Sequence, residues 1–275
     1  MKEKSLMSQL TGEVFGTFIL ILLGDGVVAN VGLAPRLASG GYNWNTIVFG
    51  WCFAVIVAVY VSAGVSGAHL NPAVTLAMAA KRGFAWSKVV PYILAQMVGA
   101  FLGAAAVYLV YRDGLVAAGM PNVWSTGPGS VFGQAFWGGA GGAASAGSYS
   151  LITACVAEFF GTCVLLWGIL ASGDSKNTGL MHNLGPFLVG GTVLAVGLSL
   201  GGPSGYAINP ARDLGPRIFG ALAGTQNLFD GIYWLLPPVI ITSIAGPIAV
   251  YLYDWFVSSN LPGAPEVGRV HDEKH

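Results

Sequence analysis

Two stretches of this 275-residue sequence carry the same polar chemistry 138 residues apart: SGAHLNPAVT from Ser66 to Thr75 and SGYAINPARD from Ser204 to Asp213. Asn brings an amide with two N–H donors and one acceptor, and it is a favoured residue just before a helix. Pro suits the first helical position, because its missing N–H would have no partner there anyway. Asn71-Pro72-Ala73 and Asn209-Pro210-Ala211 therefore each predict a capped helix start with amide donors beside it. The preceding segments, Gly64–Leu70 and Gly201–Ile208, are rich in Gly, Ser and Pro and read as non-helical backbone with unpaired carbonyls.

These polar elements sit inside a chain that is 54% hydrophobic and 9% charged, with a mean hydropathy of +0.67. An ordinary soluble domain carries about 25% charged residues, so the composition is that of a membrane protein. Apolar windows long enough to cross a hydrocarbon core of about 30 Å lie near 9–31, 43–62, 88–110, 150–171, 183–201 and 232–256. The opening MKEKSLMSQL runs into an apolar stretch that extends to about Val31, which reads as a first spanning helix rather than a cleaved leader. The zero formal charge gives no reason to expect nucleic acid or an acidic partner. Cys52, Cys155 and Cys163 fall inside the spans and read as small apolar packers, so neither a metal nor a cofactor is expected. Eight of the twelve Lys and Arg residues fall on the side of the N-terminus, which places both termini in the cytoplasm.

The repeat extends beyond the two Asn-Pro segments. AVIVAVYVSAGVSGAHLNPA resembles TVLAVGLSLGGPSGYAINPA, and GEVFGTF resembles AEFFGTC, pairing Glu13 with Glu158. Three spans per half is an odd number, so the halves enter the membrane from opposite faces, an arrangement that puts functional sites near the bilayer midplane. The halves, about 8–110 and 150–257, read as one transmembrane domain over 1–257; the connection 111–149 carries GGAGGAASAG, and 258–275 reads as a disordered cytoplasmic tail. The helix after Asn71 has about ten residues before Lys81 and Arg82. At 1.5 Å per residue it covers about half the hydrocarbon. The helix from Asn209 to about Gly220 reads the same way from the other face, so the two N-termini should meet at the centre. Irregular backbone at that depth is tolerated where it lines a water-filled path. Glu13 and Glu158, two acids within apolar spans, read as acceptors for N–H groups of the two loops. His69 reads as a backbone contributor and His182 as an interfacial histidine, although either could sense pH.

With NPAVT, NPARD, the Glu13–Thr17 and Glu158–Thr162 pairs and Gln96 in place, the whole chain resembles the major intrinsic protein family of aquaporins and glycerol facilitators. The resemblance implies an all-α membrane protein with six transmembrane helices and two re-entrant half-helices in a right-handed bundle, one pore per subunit, assembled as a homotetramer in the plasma membrane. It implies carbonyls of Gly67, Ala68, His69, Ser204, Gly205 and Tyr206 along the pore, opposite an apolar wall of Val55, Val193, Leu70 and Ile208. It also implies an outer constriction of Trp51, Gly197, Tyr206 and Arg212. Water-selective members have His at the position of Gly197, so the ring reads as one for glycerol-like molecules. Asp213 is a mark of the glycerol-conducting branch, though an acid in the first turn of a helix is favoured by the helix dipole wherever it occurs. Tyr206 and Pro237-Pro238 depart from the glycerol facilitator pattern.

The expected function is thus a passive channel for glycerol and other small neutral solutes that also passes water and excludes ions and protons. Dihydroxyacetone, urea, hydrogen peroxide and undissociated hydroxy acids stand unranked beside glycerol. Three rivals remain. One is a water-selective pore. Another is a coupled secondary transporter, which shares inverted repeats and broken helices. The third is an intramembrane serine protease, suggested by GVSG at Gly64–Gly67 with His69 and His182 as bases; its weakness is that GPSG recurs at Gly202–Gly205 with no histidine nearby.

Overall fold

The computed structural model describes residues 4–33, 43–127, 149–177 and 183–262. Eight α-helices form in these segments: α1 (Leu6–Leu33), α2 (Trp44–Ser66), α3 (Pro72–Lys81), α4 (Val89–Ala117), α5 (Leu151–Gly173), α6 (Gly185–Leu200), α7 (Pro210–Ala223) and α8 (Thr242–Phe256). A π-helical stretch, Leu236–Ile241, containing Pro237 and Pro238, leads directly into α8. Both prolines fall in the first turn of this stretch, where a missing N–H leaves no intrahelical hydrogen bond unmade.

Among the described residues, five helical segments are long and apolar enough to cross a membrane: α1, α2, α4 with the short turn before it, α5, and Leu236–Asn260. The sixth expected span, α6, has 16 residues, about 24 Å at 1.5 Å per residue. The exterior is apolar where a soluble protein would be charged, as at Leu109, Ile152 and Leu222, each 75% exposed.

The halves interlock. In the first, α1 packs between α2 and α4; in the second, α5 packs between α6 and α8. Each half-helix lies against the last long helix of the other half, α3 on α8 and α7 on α4, while α2 packs on α6. Small residues permit these close crossings. A Cβ added at Gly99 would sit 2.3 Å from the Val14 carbonyl oxygen, and one at Gly246 would sit 2.4 Å from the Ala73 carbonyl oxygen. Backbone cannot yield as a side chain does, so Gly99→Ala is expected to destabilise the α1–α4 crossing by about 1–3 kcal/mol. A lowered thermal unfolding midpoint in detergent would register it.

Several boundaries differ from the sequence reading. The irregular backbone before Asn71 begins at Gly67, not Gly64, because α2 runs on to Ser66 and is closed by Gly67 at φ 88°. The second half-helix has 14 residues against ten in the first, ending at Gly224 with φ 108°. The connection between the halves is helical to Ala117, and Trp124 within it is fully buried, so its first part is packed structure rather than a loose linker. The glycine-rich run lies outside the described residues, as do His182 and 263–275. Ser258–Asn260, expected to begin a disordered tail, forms a 3-10 turn continuing from α8.

Candidate permeation site

The two loops that enter the half-helices share an uncommon backbone. Gly67, Ala68 and Leu70 have φ of 88°, 50° and 51°; their repeat partners Gly205, Tyr206 and Ile208 have φ of 91°, 42° and 44°. L-residues pay about 1–2 kcal/mol each for this left-handed region, and the β-branched Ile208 is among the least suited to it. Such strain persists only where the surroundings over-determine it.

Two buried glutamates do so here. Glu13 Oε1 accepts the backbone N–H of His69 at 3.0 Å and the Ser66 hydroxyl at 2.6 Å, while Oε2 accepts the N–H of Leu70 at 2.7 Å and the Gln96 amide at 2.8 Å. Glu158 repeats the arrangement: Oε1 accepts from Ala207 N and Oε2 from Ile208 N, both at 2.7 Å, and the Ser204 side chain also bonds to it. Ser66 and Ser204 tie the loops a second time, accepting from the N–H of Ala68 at 3.1 Å and of Tyr206 at 3.2 Å. With its N–H groups held on the glutamate side, each loop can turn carbonyl oxygens the other way.

The half-helix tips meet. Asn71 Oδ1 caps α3 by accepting from Ala73 N at 2.8 Å, and Asn209 Oδ1 caps α7 by accepting from Ala211 N at 3.0 Å and Arg212 N at 3.2 Å. One amide N–H of Asn71 crosses to the Ile208 carbonyl at 2.8 Å, and one of Asn209 crosses to the Leu70 carbonyl at 2.9 Å. A second N–H on each amide is left for whatever fills the space beside them.

That space is a cavity of about 230 Å³ lined by the loop residues Gly67, Ala68, His69, Leu70, Tyr206 and Ile208 together with Asn71, Asn209, Trp51 and Arg212. Val55, Val193, Leu20 and Val189 supply apolar surface. Three of the expected residues lie elsewhere. The Ser204 carbonyl is already taken, accepting from Tyr233 Oη at 2.6 Å and Gly127 N at 3.1 Å, so it is not free for a solute. Gly205 packs against Thr126 and does not line the cavity. Gly197 is covered by the Tyr206 ring: an added Cβ would lie 2.9 Å from Tyr206 Cζ. Trp44 completes this corner, donating Nε1–H to the Gly197 carbonyl at 3.0 Å and setting its ring edge-on to Tyr206 at 5.5 Å. The Tyr206 hydroxyl is buried and has no hydrogen-bond partner among the described residues.

Arg212 faces this corner. Its guanidinium lies 4.1 Å from the Trp51 ring centre, and Nη1 donates to the Trp124 carbonyl at 3.2 Å. Nε and Nη2 have no protein acceptor among the described residues, so three N–H donors remain on a group that lines the cavity. Asp213 does not reach the cavity. Its Oδ2 accepts from Thr126 N at 2.8 Å and Thr126 Oγ1 at 2.6 Å, and its Oδ1 pairs with Arg217 at 2.7 Å, fixing the inter-half connection over the start of α7. His69 has its ring packed against both Phe84 and Tyr92, which also touch each other, and its Nδ1 3.2 Å from the Thr75 hydroxyl.

Sequence reasoning missed the Trp124 carbonyl, Thr126, Trp44 and Leu20. Trp124 and Thr126 lie in a connection with no counterpart in the repeat, and nothing in spacing links Trp44 to Gly197. The lining thus combines residues of both strained loops and the amides of Asn71 and Asn209 with apolar side chains, and it includes Trp51, Tyr206 and Arg212.

The family model described as major intrinsic protein matches residues 1–250. The chain is 42% identical over 258 residues to a probable glycerol uptake facilitator protein of Thermotoga maritima, covering 90% of this chain and 99% of that one. It is 40% identical to a glycerol uptake facilitator protein of Streptococcus pneumoniae, over 91% of this chain and 100% of the relative. Among solved structures it is similar to the aquaglyceroporin from Plasmodium falciparum, with a TM-score of 0.79, 32% identity, and coverage of 92% of this chain and 97% of the other.

Proposed function

The chain belongs to the major intrinsic protein family, and from that premise we propose that it is a passive channel for glycerol and similar small neutral solutes, passing water and excluding ions and protons. The observation that carries the reading is the pair of strained loops, which line one cavity together with Asn71, Asn209, Arg212, Val55 and Val193; in this reading the loops supply acceptors and the asparagines and Arg212 supply donors. A polyol exchanges its water hydrogen bonds for these as it moves while its carbons stay on the apolar side. A cation meets two helix N-termini, each carrying roughly +0.5 charge, and loses hydration with little return. The asparagine amides donate to a passing oxygen from both sides of the midplane, which breaks the donor direction a proton wire needs.

In this reading Trp51, Tyr206 and Arg212 form the selective ring, Gly197 makes room for Tyr206, and Glu13, Glu158 and Asp213 hold the loops. The protein sits in the plasma membrane as a homotetramer with both termini in the cytoplasm. Dihydroxyacetone, urea, hydrogen peroxide and undissociated hydroxy acids are further cargo of suitable size. Against the protease alternative, Ser66 donates to Glu13 and accepts from Ala68 N, while His69 is turned to Thr75 and not to Ser66. The coupled transporter needs an acid that changes exposure, and both glutamates are committed to backbone N–H groups.

Proteoliposomes holding the protein are expected to equilibrate glycerol at least about tenfold faster than empty vesicles in a stopped-flow swelling assay, without accumulation against a gradient. Equal rates with and without protein would remove the proposal, and faster water with unchanged glycerol would select the water pore.

A further inference from the structure

We propose that Asp25 is a positioning residue for the selective ring: it holds the Arg212 guanidinium from behind and cancels its charge, so that the ring donates hydrogen bonds to neutral solutes without capturing carboxylate anions. The inference rests on the channel reading above. Asp25 lies on α1, is fully buried, and takes no part in the repeat, since the matching position of the second half, Leu170, is apolar. Its Oδ1 stands 3.5 Å from Arg212 Nη1, and its Oδ2 has no hydrogen-bond partner among the described residues. The approach is built into the packing: a Cβ at the preceding residue, Gly24, would lie 2.2 Å from the Trp51 ring, so α1 packs closely on the same ring that Arg212 contacts.

The charge arithmetic gives Asp25 its role. Arg212 is 8% exposed and permanently charged. The next acid along the chain, Asp213, is committed to Arg217 and Thr126. The other contacts of Arg212, the Trp124 carbonyl and the Trp51 face, are neutral. Asp25 is the acid within reach of its guanidinium, at 3.5 Å. Without that charge, the free Nε and Nη2 donors form an uncompensated fork in a low-dielectric passage, the geometry that binds carboxylates in a bidentate manner. A small carboxylate would then lodge in the ring and obstruct glycerol.

The experiment measures glycerol flux into proteoliposomes at pH 7.5 with added potassium formate, against potassium chloride at equal ionic strength. Wild-type flux without formate is read first; its absence counts against the channel reading and not against Asp25. Formate is expected to leave wild type and Asp25→Glu as chloride does, and to block Asp25→Asn at a concentration at least about tenfold lower than any effect on wild type. Block of wild type at the same concentration as Asp25→Asn overturns the proposal. So does an Asp25→Asn channel that formate does not block, the result expected if Asp25 carries no charge. If Asp25→Asn does not reach the membrane, the double variant Asp25→Asn/Arg212→Val removes both charges. Recovery of a folded, formate-insensitive channel supports the pairing, and failure to recover overturns it.

Discussion

Replacing Gly197 by alanine is expected to cut glycerol flux through this protein by about tenfold or more while lowering water flux less. The new Cβ would stand 2.7 Å from Val48 Cγ1 and 2.9 Å from Tyr206 Cζ, both inside contact distance. Val48 is fully buried, and the Tyr206 ring is edged by Trp44 at 5.5 Å. The ring is then pushed off α6, toward the cavity that it lines with Trp51 and Arg212. Overpacking of this kind costs about 1–3 kcal/mol, and each 1.4 kcal/mol added to a barrier is about tenfold in rate. A water molecule is narrower than a three-carbon polyol and tolerates the loss better. Histidine, larger and polar, should act more strongly in the same direction. Stopped-flow swelling in glycerol and in an impermeant osmolyte separates the two fluxes. Adding Tyr206→Leu to Gly197→Ala should return much of the glycerol flux, and parallel falls of water and glycerol with no such rescue would show that Gly197 does not place Tyr206.

Glu158→Gln is expected to abolish most flux of both solutes and to lower the unfolding midpoint. Glutamine keeps one acceptor and turns the other into an NH₂ donor, which then faces the N–H of Ala207 or Ile208 where a carboxylate oxygen stood at 2.7 Å. A hydrogen bond to a charged group contributes about 1.5–3 kcal/mol, and leaving a buried donor unpaired costs about 1–3 kcal/mol. Ile208 is held at φ 44°, a conformation that costs about 1–2 kcal/mol by itself. Once its N–H is released, the loop relaxes toward ordinary backbone and its carbonyls leave the cavity. Glu13→Gln should do the same to the first loop, since Glu13 gathers His69 N, Leu70 N, Ser66 and Gln96. A proton-carrying role for either acid predicts another outcome: passive glycerol flux kept, gradient-driven accumulation lost. Flux and stability unchanged in Glu158→Gln would take away the loop-holding role.

Much of the fold was legible because each cue is local. Pro after Asn starts a helix whatever surrounds it, and α3 and α7 begin at Pro72 and Pro210 as those dipeptides require. Boundaries were less legible where tertiary contacts extend a helix past its local cues: α2 continues through Gly64 to Ser66, whose hydroxyl is held by Glu13. The connection after α4 showed only its glycines and not the segment from Asn122 to Gly127, because the value of Trp124 and Thr126 lies in partners from α7, about 90 residues further on.

The sequence by itself determined the polar inventory and its symmetry. Two Asn-Pro pairs, two buried glutamates and a mirrored hydropathy pattern require inverted halves with half-helices between them, because apolar spans, helix caps and buried acids obey rules that act within a few residues or with the lipid as a uniform solvent. Only the tertiary structure decided which of these groups still has a free hand. The Ser204 carbonyl is consumed by Tyr233, Gly197 serves Tyr206, and Asp25 stands behind Arg212. Whether a donor or acceptor is spent or available depends on what packs against it from distant parts of the chain, and no spacing along the sequence records that.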